Sequence, residues 1–144
     1  MNEIKNEIME KKILEKVKQR IVRRIESAEG DINEYKEKFN ADYEKFLMWY
    51  AEDLYKCKQM LDHYNSLLTA VEMGDLSFLK ETLRHKVEHF SDDILCGSLR
   101  RNSSNSFANL AHVLELEVKQ KMIAACTVMQ REISDMENEQ KLNK

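Results

Sequence analysis

Apolar residues recur at intervals of three and four along nearly the whole chain, which is the period of an amphipathic α-helix. The chain contains three glycines and no proline, so it has few residues that favour sharp turns. A fold of many short strands needs such turns, and the pattern therefore predicts an all-α protein. The longest uninterrupted run consists of Ile32, Tyr35, Phe39, Tyr43, Phe46, Tyr50, Leu54, Cys57, Leu61, Tyr64, Leu68 and Val71.

The three glycines divide this pattern into four predicted helices. Gly30 precedes Asp31, whose spacing from Glu34 matches a capping box at the start of a helix. Gly74 and Gly97 follow periodic segments and suit the left-handed residue that ends a helix. We predict an elongated four-helix bundle of unequal helices with coiled-coil-like packing, in one helical domain over residues 1–144 whose ends fray at 1–10 and 138–144. The helices are expected at about residues 3–28, 31–73, 75–95 and 105–138.

The unequal lengths predict how the helices pack. The second predicted helix is about as long as the first and third combined, so both should fold back on it through short turns. Such a thin bundle leaves apolar surface uncovered, which favours a homodimer. The crowded aromatic residues of the second helix are interpreted as core. The candidate partner-binding residues point away from the predicted core, and they are Met48, Tyr55, Phe78, His85 and His89.

Charge is distributed unevenly along the chain. The net charge is −3, yet residues 1–25 hold eight basic and four acidic side chains, and residues 26–98 hold eight basic and sixteen acidic ones. Basic residues aligned on one helix face can follow the phosphates of a nucleic acid. An anionic partner is therefore an alternative to a protein partner. Its candidate contacts are Lys12, Lys16, Arg20 and Arg23 in the first predicted helix, with Arg100 and Arg101 in the loop between the third and fourth predicted helices.

The residues His85, Glu88 and His89 have the spacing HxxEH, which inverted zinc peptidases use to hold a metal. Here the two histidines point away from the predicted core, and only a simple helix follows them. The three cysteines are widely spaced without a CxxC pair, which is typical of reduced thiols in the cytoplasm. We therefore expect no catalytic residue, no metal and no cofactor. No apolar run reaches the eighteen residues typical of a membrane span, so no membrane association is expected.

These patterns favour a cytoplasmic, non-enzymatic helical interaction protein. It would act as an adaptor, an inhibitor or an assembly subunit through exposed helix faces, and as a homodimer. The alternative is a small nucleic-acid-associated regulator that uses the basic stripe of the first predicted helix.

Overall fold

The computed structural model describes residues 2–97 and 104–142, which form five α-helices and no strand. The all-α prediction is confirmed. Arg100 and Arg101 lie outside the described residues. The helices are α1 (Asn2–Ala41), α2 (Tyr43–Trp49), α3 (Ala51–Glu72), α4 (Leu76–Gly97) and α5 (Ser106–Leu142).

The predicted helix boundary at Gly30 is wrong, because α1 continues through this glycine. The apolar stripe does not stop there, since Ala28 and Ile32 are both buried on the same face of the helix. A glycine inside a helix costs only about 1 kcal/mol relative to alanine. Burying a side chain such as Ile32 contributes more than that. The packing of the stripe therefore outweighs the glycine, and Asp31 lies inside α1 and does not cap a helix.

The predicted helix over residues 31–73 is also wrong as a single straight element, because the chain bends at Asp42 and at Tyr50. Asp42 has an extended backbone (φ −159°, ψ 93°), and its side chain accepts a hydrogen bond of 3.1 Å from the backbone N–H of Lys45. Tyr50 has φ −125° and ψ −10°. Short α2 lies between the two bends and turns the chain round, so that α3 runs back along α1. The two bends divide the predicted helix over residues 31–73 into three parts, and the first part continues the first predicted helix through Gly30, which gives five helices in place of four.

The turn at Gly74 is confirmed. Gly74 has φ 75°, the left-handed conformation that glycine adopts without a steric penalty. Asp75 then caps α4, because its carboxylate accepts a hydrogen bond of 3.2 Å from the backbone N–H of Phe78.

The helices pack as two antiparallel pairs, α1 with α3 and α4 with α5. The direction of the first pair follows from two contacts: Cys57 lies beside Ala28, and Glu72 lies 4.0 Å from Lys18. The two pairs share one core, which in the described residues holds no buried polar side chain. The side chains of this core with full or nearly full burial include Ile13, Val17, Ile21, Leu67, Leu79, Leu83, Val118, Met122, Cys126, Met129 and Ile133.

None of the helices, over the residues described, has a stretch that is both long and apolar enough to cross a membrane. Helical conformation extends from Asn2 to Leu142 at the two ends of the described chain. The fraying of residues 1–10 and 138–144 concerns motion and stays a prediction.

Candidate interaction surfaces

The turn between α1 and α3 carries a surface of exposed apolar side chains, which we call the apolar cap. It consists of Phe39, Tyr43, Leu47, Met48 and Trp49. Met48 is 75% exposed, Trp49 67%, and Tyr43 and Leu47 are both more than half exposed. A folded monomer seldom leaves so many large apolar side chains in water at one place. The apolar cap is therefore the strongest candidate for a contact surface.

The apolar cap rests on an ordered aromatic cluster. Phe46 is buried beneath it, and its ring meets that of Phe39 edge-on with centroids 5.4 Å apart. The Tyr50 ring lies 6.3 Å from Phe46 and the same distance from Tyr35. The Lys38 ammonium lies 4.2 Å from the centroid of the Tyr50 ring, which is a favourable cation–π distance. These contacts hold the exposed side chains on a packed base.

The sequence contained a signal for this surface that the core interpretation overlooked. Residues 46–50 are five consecutive apolar residues, which place apolar side chains on every face of a helix. A helix packed on one side can bury only some of them. Phe46 is buried, whereas Leu47, Met48 and Trp49 are exposed, so the prediction that this aromatic segment is core holds for only part of it.

Met48 belongs to the apolar cap, but Tyr55 does not. Tyr55 lies in the first turns of α3 and is half-buried against α5, where its hydroxyl donates a hydrogen bond of 2.7 Å to Glu115. That bond, more than the partial burial or the charge of Glu115, raises the pKa of Tyr55 above its usual value. The bend at Tyr50 separates the two residues, which a straight helix would have placed on one face.

The other candidate contacts lie on α4. Phe78, His85 and His89 are exposed, and the two imidazole rings meet edge-on with centroids 6.2 Å apart. Glu88, the acidic residue of the HxxEH spacing, accepts a hydrogen bond of 2.7 Å from Arg84. The carboxylate is thus held by a cation on its own helix.

A carboxylate that lies beside this histidine pair is also held by a cation. Asp93 lies 3.5 Å from His89 and 3.0 Å from Lys119 on α5. The hydrogen bond from Lys119 is the largest cause of the lowered pKa of Asp93. Across the described residues, no group of three or more histidine, cysteine, aspartate or glutamate side chains is placed to hold a metal ion.

The basic stripe of α1 is only partly available for a partner. Lys12, Lys16 and Arg23 are exposed, but Arg20 donates a hydrogen bond of 2.6 Å to Glu132 on α5. This ion pair links α1 to α5 and uses the central cation of the stripe. Lys16 and Arg23 border a cleft that Gln19 and Arg24 also line.

A second group of exposed apolar side chains lies near the start of α5 and the end of α4. Its members are Leu95, Phe107, Leu110 and Val113. Glu115, which follows Leu110 by five residues on α5, contacts Tyr55 near the start of α3. These side chains therefore occupy the same end of the bundle as the apolar cap.

Comparison of the chain with protein-family models, with curated proteins and with solved structures finds no match.

Proposed function

We propose that this chain is a cytoplasmic, non-enzymatic helical interaction protein that acts as a homodimer through exposed helix faces. An adaptor, an inhibitor or an assembly subunit would work in this way. The observation that carries the proposal is the apolar cap on α2 and the end of α1. Its side chains are exposed, large and held on a packed aromatic base, which is how contact residues are presented at protein interfaces.

The size of the apolar cap suits a modest interface. Aromatic side chains bury about 150–250 Å² each when fully covered. Five large side chains that are about half exposed therefore offer several hundred Å². Two such surfaces together reach roughly 1,000 Å², the lower end of stable protein interfaces. We infer coiled-coil-like packing between the helices of the bundle itself, because their buried apolar residues recur in steps of three and four.

The charges around the cap support a second copy of this chain as the partner. Glu44 and Lys45 are adjacent and exposed on α2, so the surface carries both signs of charge. A two-fold contact places the same surface on both sides, and each charge can then face its opposite. A partner whose surface carries mainly one sign of charge would not pair with both Glu44 and Lys45.

The groove between α4 and α5 gives little support to an enzyme. The side chains along the groove between α4 and α5 bind one another, with Lys80 at 2.9 Å from Glu137 and Arg84 paired with both Glu81 and Glu88. Groups that are already paired in this way do not converge on a bound substrate.

A variant of the apolar cap tests the proposal. We expect Leu47→Gln combined with Trp49→Gln to weaken self-association in sedimentation equilibrium by at least tenfold, because both exposed side chains lose apolar contact area. Met73→Gln is the matched control, since Met73 is 67% exposed at the far end of α3. A dimer of unchanged affinity in the cap variant, or a wild-type monomer at all concentrations, would contradict the proposal.

The second candidate function is that of a nucleic-acid-associated regulator. It is favoured by one observation, the exposed cations Lys12, Lys16 and Arg23 on one helix. A gel-shift titration at low and moderate salt tests it, because phosphate contacts weaken steeply as salt rises. Lys16→Gln with Arg23→Gln should reduce the shift, whereas Lys45→Gln with Lys58→Gln should not. The absence of a shift at low salt would exclude this function.

A further inference from the structure

The chain reverses direction between α1 and α3 without a conventional loop. At each bend the backbone hydrogen bonds from residue i to residue i−4 end on one side of a single residue and begin again on the other. At the first bend, the N–H of Asp42 donates to Lys38 at 3.1 Å, and that of Phe46 donates to Asp42 at 3.0 Å. At the second, the N–H of Tyr50 donates to Phe46 at 2.8 Å. The reversal is thus built from three helices that are joined by single residues, Asp42 and Tyr50.

Nothing in the sequence of this segment forbids a straight helix. Residues 39–50, which we call the hinge, contain neither glycine nor proline. Only Asp42 and Tyr50 leave the helical conformation there, and both have negative φ values. Either residue can therefore return to helical angles by rotation of its backbone.

The apolar pattern of the hinge is that of a continuous helix. Phe39, Tyr43, Phe46 and Tyr50 follow one another in steps of three and four, in register with buried Ile32 on one side and Leu54 on the other. In the bent form Phe39 and Tyr43 are nevertheless 46% and 56% exposed. A turn that had only to reverse the chain would have polar residues at these positions. The hinge sequence therefore specifies a packing partner that the bent form lacks.

We propose that the homodimer forms by exchange of α1 between two copies, with the hinge straightened. This inference rests on the proposed self-association and names its structure. In the exchanged dimer, residues 2–72 form one helix of roughly 105 Å at 1.5 Å per residue. Two such helices run antiparallel, and α1 of each copy packs on α3, α4 and α5 of the other.

The exchange keeps the contacts that hold the bent form together. The contact of Ala28 with Cys57 and the ion pair of Arg20 with Glu132 are remade between the two copies. Because no native contact is lost outside the hinge, exchange of an identical element has a low free-energy cost.

The two hinges meet at the two-fold axis and cover the exposed residues. Ala28 lies beside Cys57 in the bent form, so the same antiparallel register places residues near 43 of the two copies opposite each other. On a straight helix with about 100° per residue, Phe39, Tyr43 and Trp49 lie within about 60° of Phe46, and Leu47 lies about 100° from it. Met48 lies on the opposite side and stays in water. The exchanged dimer thus buries part of the apolar cap and predicts which part.

Proline at position 43 distinguishes the two forms. Tyr43 is the first residue of α2 and follows Asp42, whose extended backbone suits the position before a proline. Tyr43→Pro is therefore compatible with the bent form. In the straight helix it removes an interior hydrogen bond and clashes with the preceding turn in both copies. Tyr43→Ala is the matched control, because alanine also loses the aromatic ring but favours the helix.

Cross-linking identifies the chain that supplies α1. Cys57 Sγ lies 3.4 Å from the carbonyl oxygen of Ala28, so Ala28→Cys places a second thiol beside it. Exposed Cys96 is replaced by serine, and buried Cys126 stays. Oxidation of the exchanged dimer gives a covalent dimer on a non-reducing gel, whereas the bent form gives an internal disulfide. Adding Cys57→Ala abolishes both products.

Both tests are read by sedimentation equilibrium and non-reducing gels of the full chain. We expect a covalent dimer for Ala28→Cys, and a dimer dissociation constant raised roughly 10⁴-fold by Tyr43→Pro but much less by Tyr43→Ala. A dimer that gives only internal disulfides, or that survives Tyr43→Pro unchanged, would overturn the exchange while leaving self-association intact. A monomer at every concentration would overturn both.

Discussion

The hydroxyl of Tyr55 on α3 donates a hydrogen bond of 2.7 Å to a carboxylate oxygen of Glu115 on α5. One residue further along α3, the Lys56 ammonium lies 3.2 Å from the carboxylate of Glu117, which is also on α5. The two contacts attach the start of α3 to α5, directly beyond the bend at Tyr50. When the hinge straightens, α1 and α2 therefore move relative to the rest of the chain, whereas α3 stays attached to α5 of its own chain.

The first prediction concerns this attachment. Tyr55→Phe removes the hydroxyl and leaves Glu115 without the donor, so the free energy of unfolding should fall by about 0.5–1.5 kcal/mol. Urea unfolding followed by circular dichroism measures the change. Tyr43→Phe is the control, because Tyr43 is exposed and its loss of a hydroxyl should leave the stability nearly unchanged. Equal stability of the wild type and Tyr55→Phe would show that the contact adds nothing.

The second prediction concerns Gly30 inside α1. A Cβ atom added there meets no atom within 4 Å, and the backbone of Gly30 has no positive φ. Gly30→Ala should therefore raise the free energy of unfolding by about 0.5–1 kcal/mol through helix propensity. Thermal or urea unfolding measures it. A loss of stability would mean that Gly30 ends a helix, as the sequence pattern predicted.

The third prediction is the opposite result at Gly74. Its φ of 75° is strained for any residue with a side chain, although open space surrounds the position. Gly74→Ala should lower the free energy of unfolding by about 1 kcal/mol or more. Gly74→Asn should lower it less, because asparagine tolerates the left-handed conformation better. If alanine at this position stabilised the protein, the turn would have another geometry.

These two glycines show how far the sequence predicts the fold. The helical period, the turn at Gly74 and the cap at Asp75 are local features, and the structure confirms them. Gly30 has the same local signal as Gly74. The burial of Ala28 and Ile32 on both sides of Gly30 nevertheless stabilises a continuous helix at this position. That burial depends on α3, which is distant in sequence, so local signals could not reveal it.

The hinge was harder to predict for a related reason. The apolar stripe from Ile32 to Val71 has no breaker residue, and its period predicts a straight helix. The bends at Asp42 and Tyr50 allow α3 to pack back on α1. The free energy gained from this packing comes from residues that are distant in sequence, so the local pattern does not contain it. The sequence prediction that Met48 lies on an exposed face is confirmed, whereas Tyr55 lies against α5.

The fourth prediction concerns the three thiols. Cys96 is exposed, Cys57 is half-buried, and Cys126 is buried in the core, where burial raises its pKa to about 11. Since the thiolate is the reactive form, Cys126 should not react with Ellman's reagent in the folded protein. We expect a fast phase from Cys96, a slower one from Cys57, and a third thiol only in denaturant. Cys96→Ser should remove the fast phase. Rapid reaction of three thiols without denaturant would contradict the packing of the core.

The fifth prediction concerns the homodimer itself. Sedimentation equilibrium of the wild-type chain over a wide concentration range measures its molar mass directly. We expect the mass to rise with concentration to twice the 17.1 kDa of one chain. A mass of one chain at every concentration would contradict it, because the apolar cap would then have no second copy to cover it.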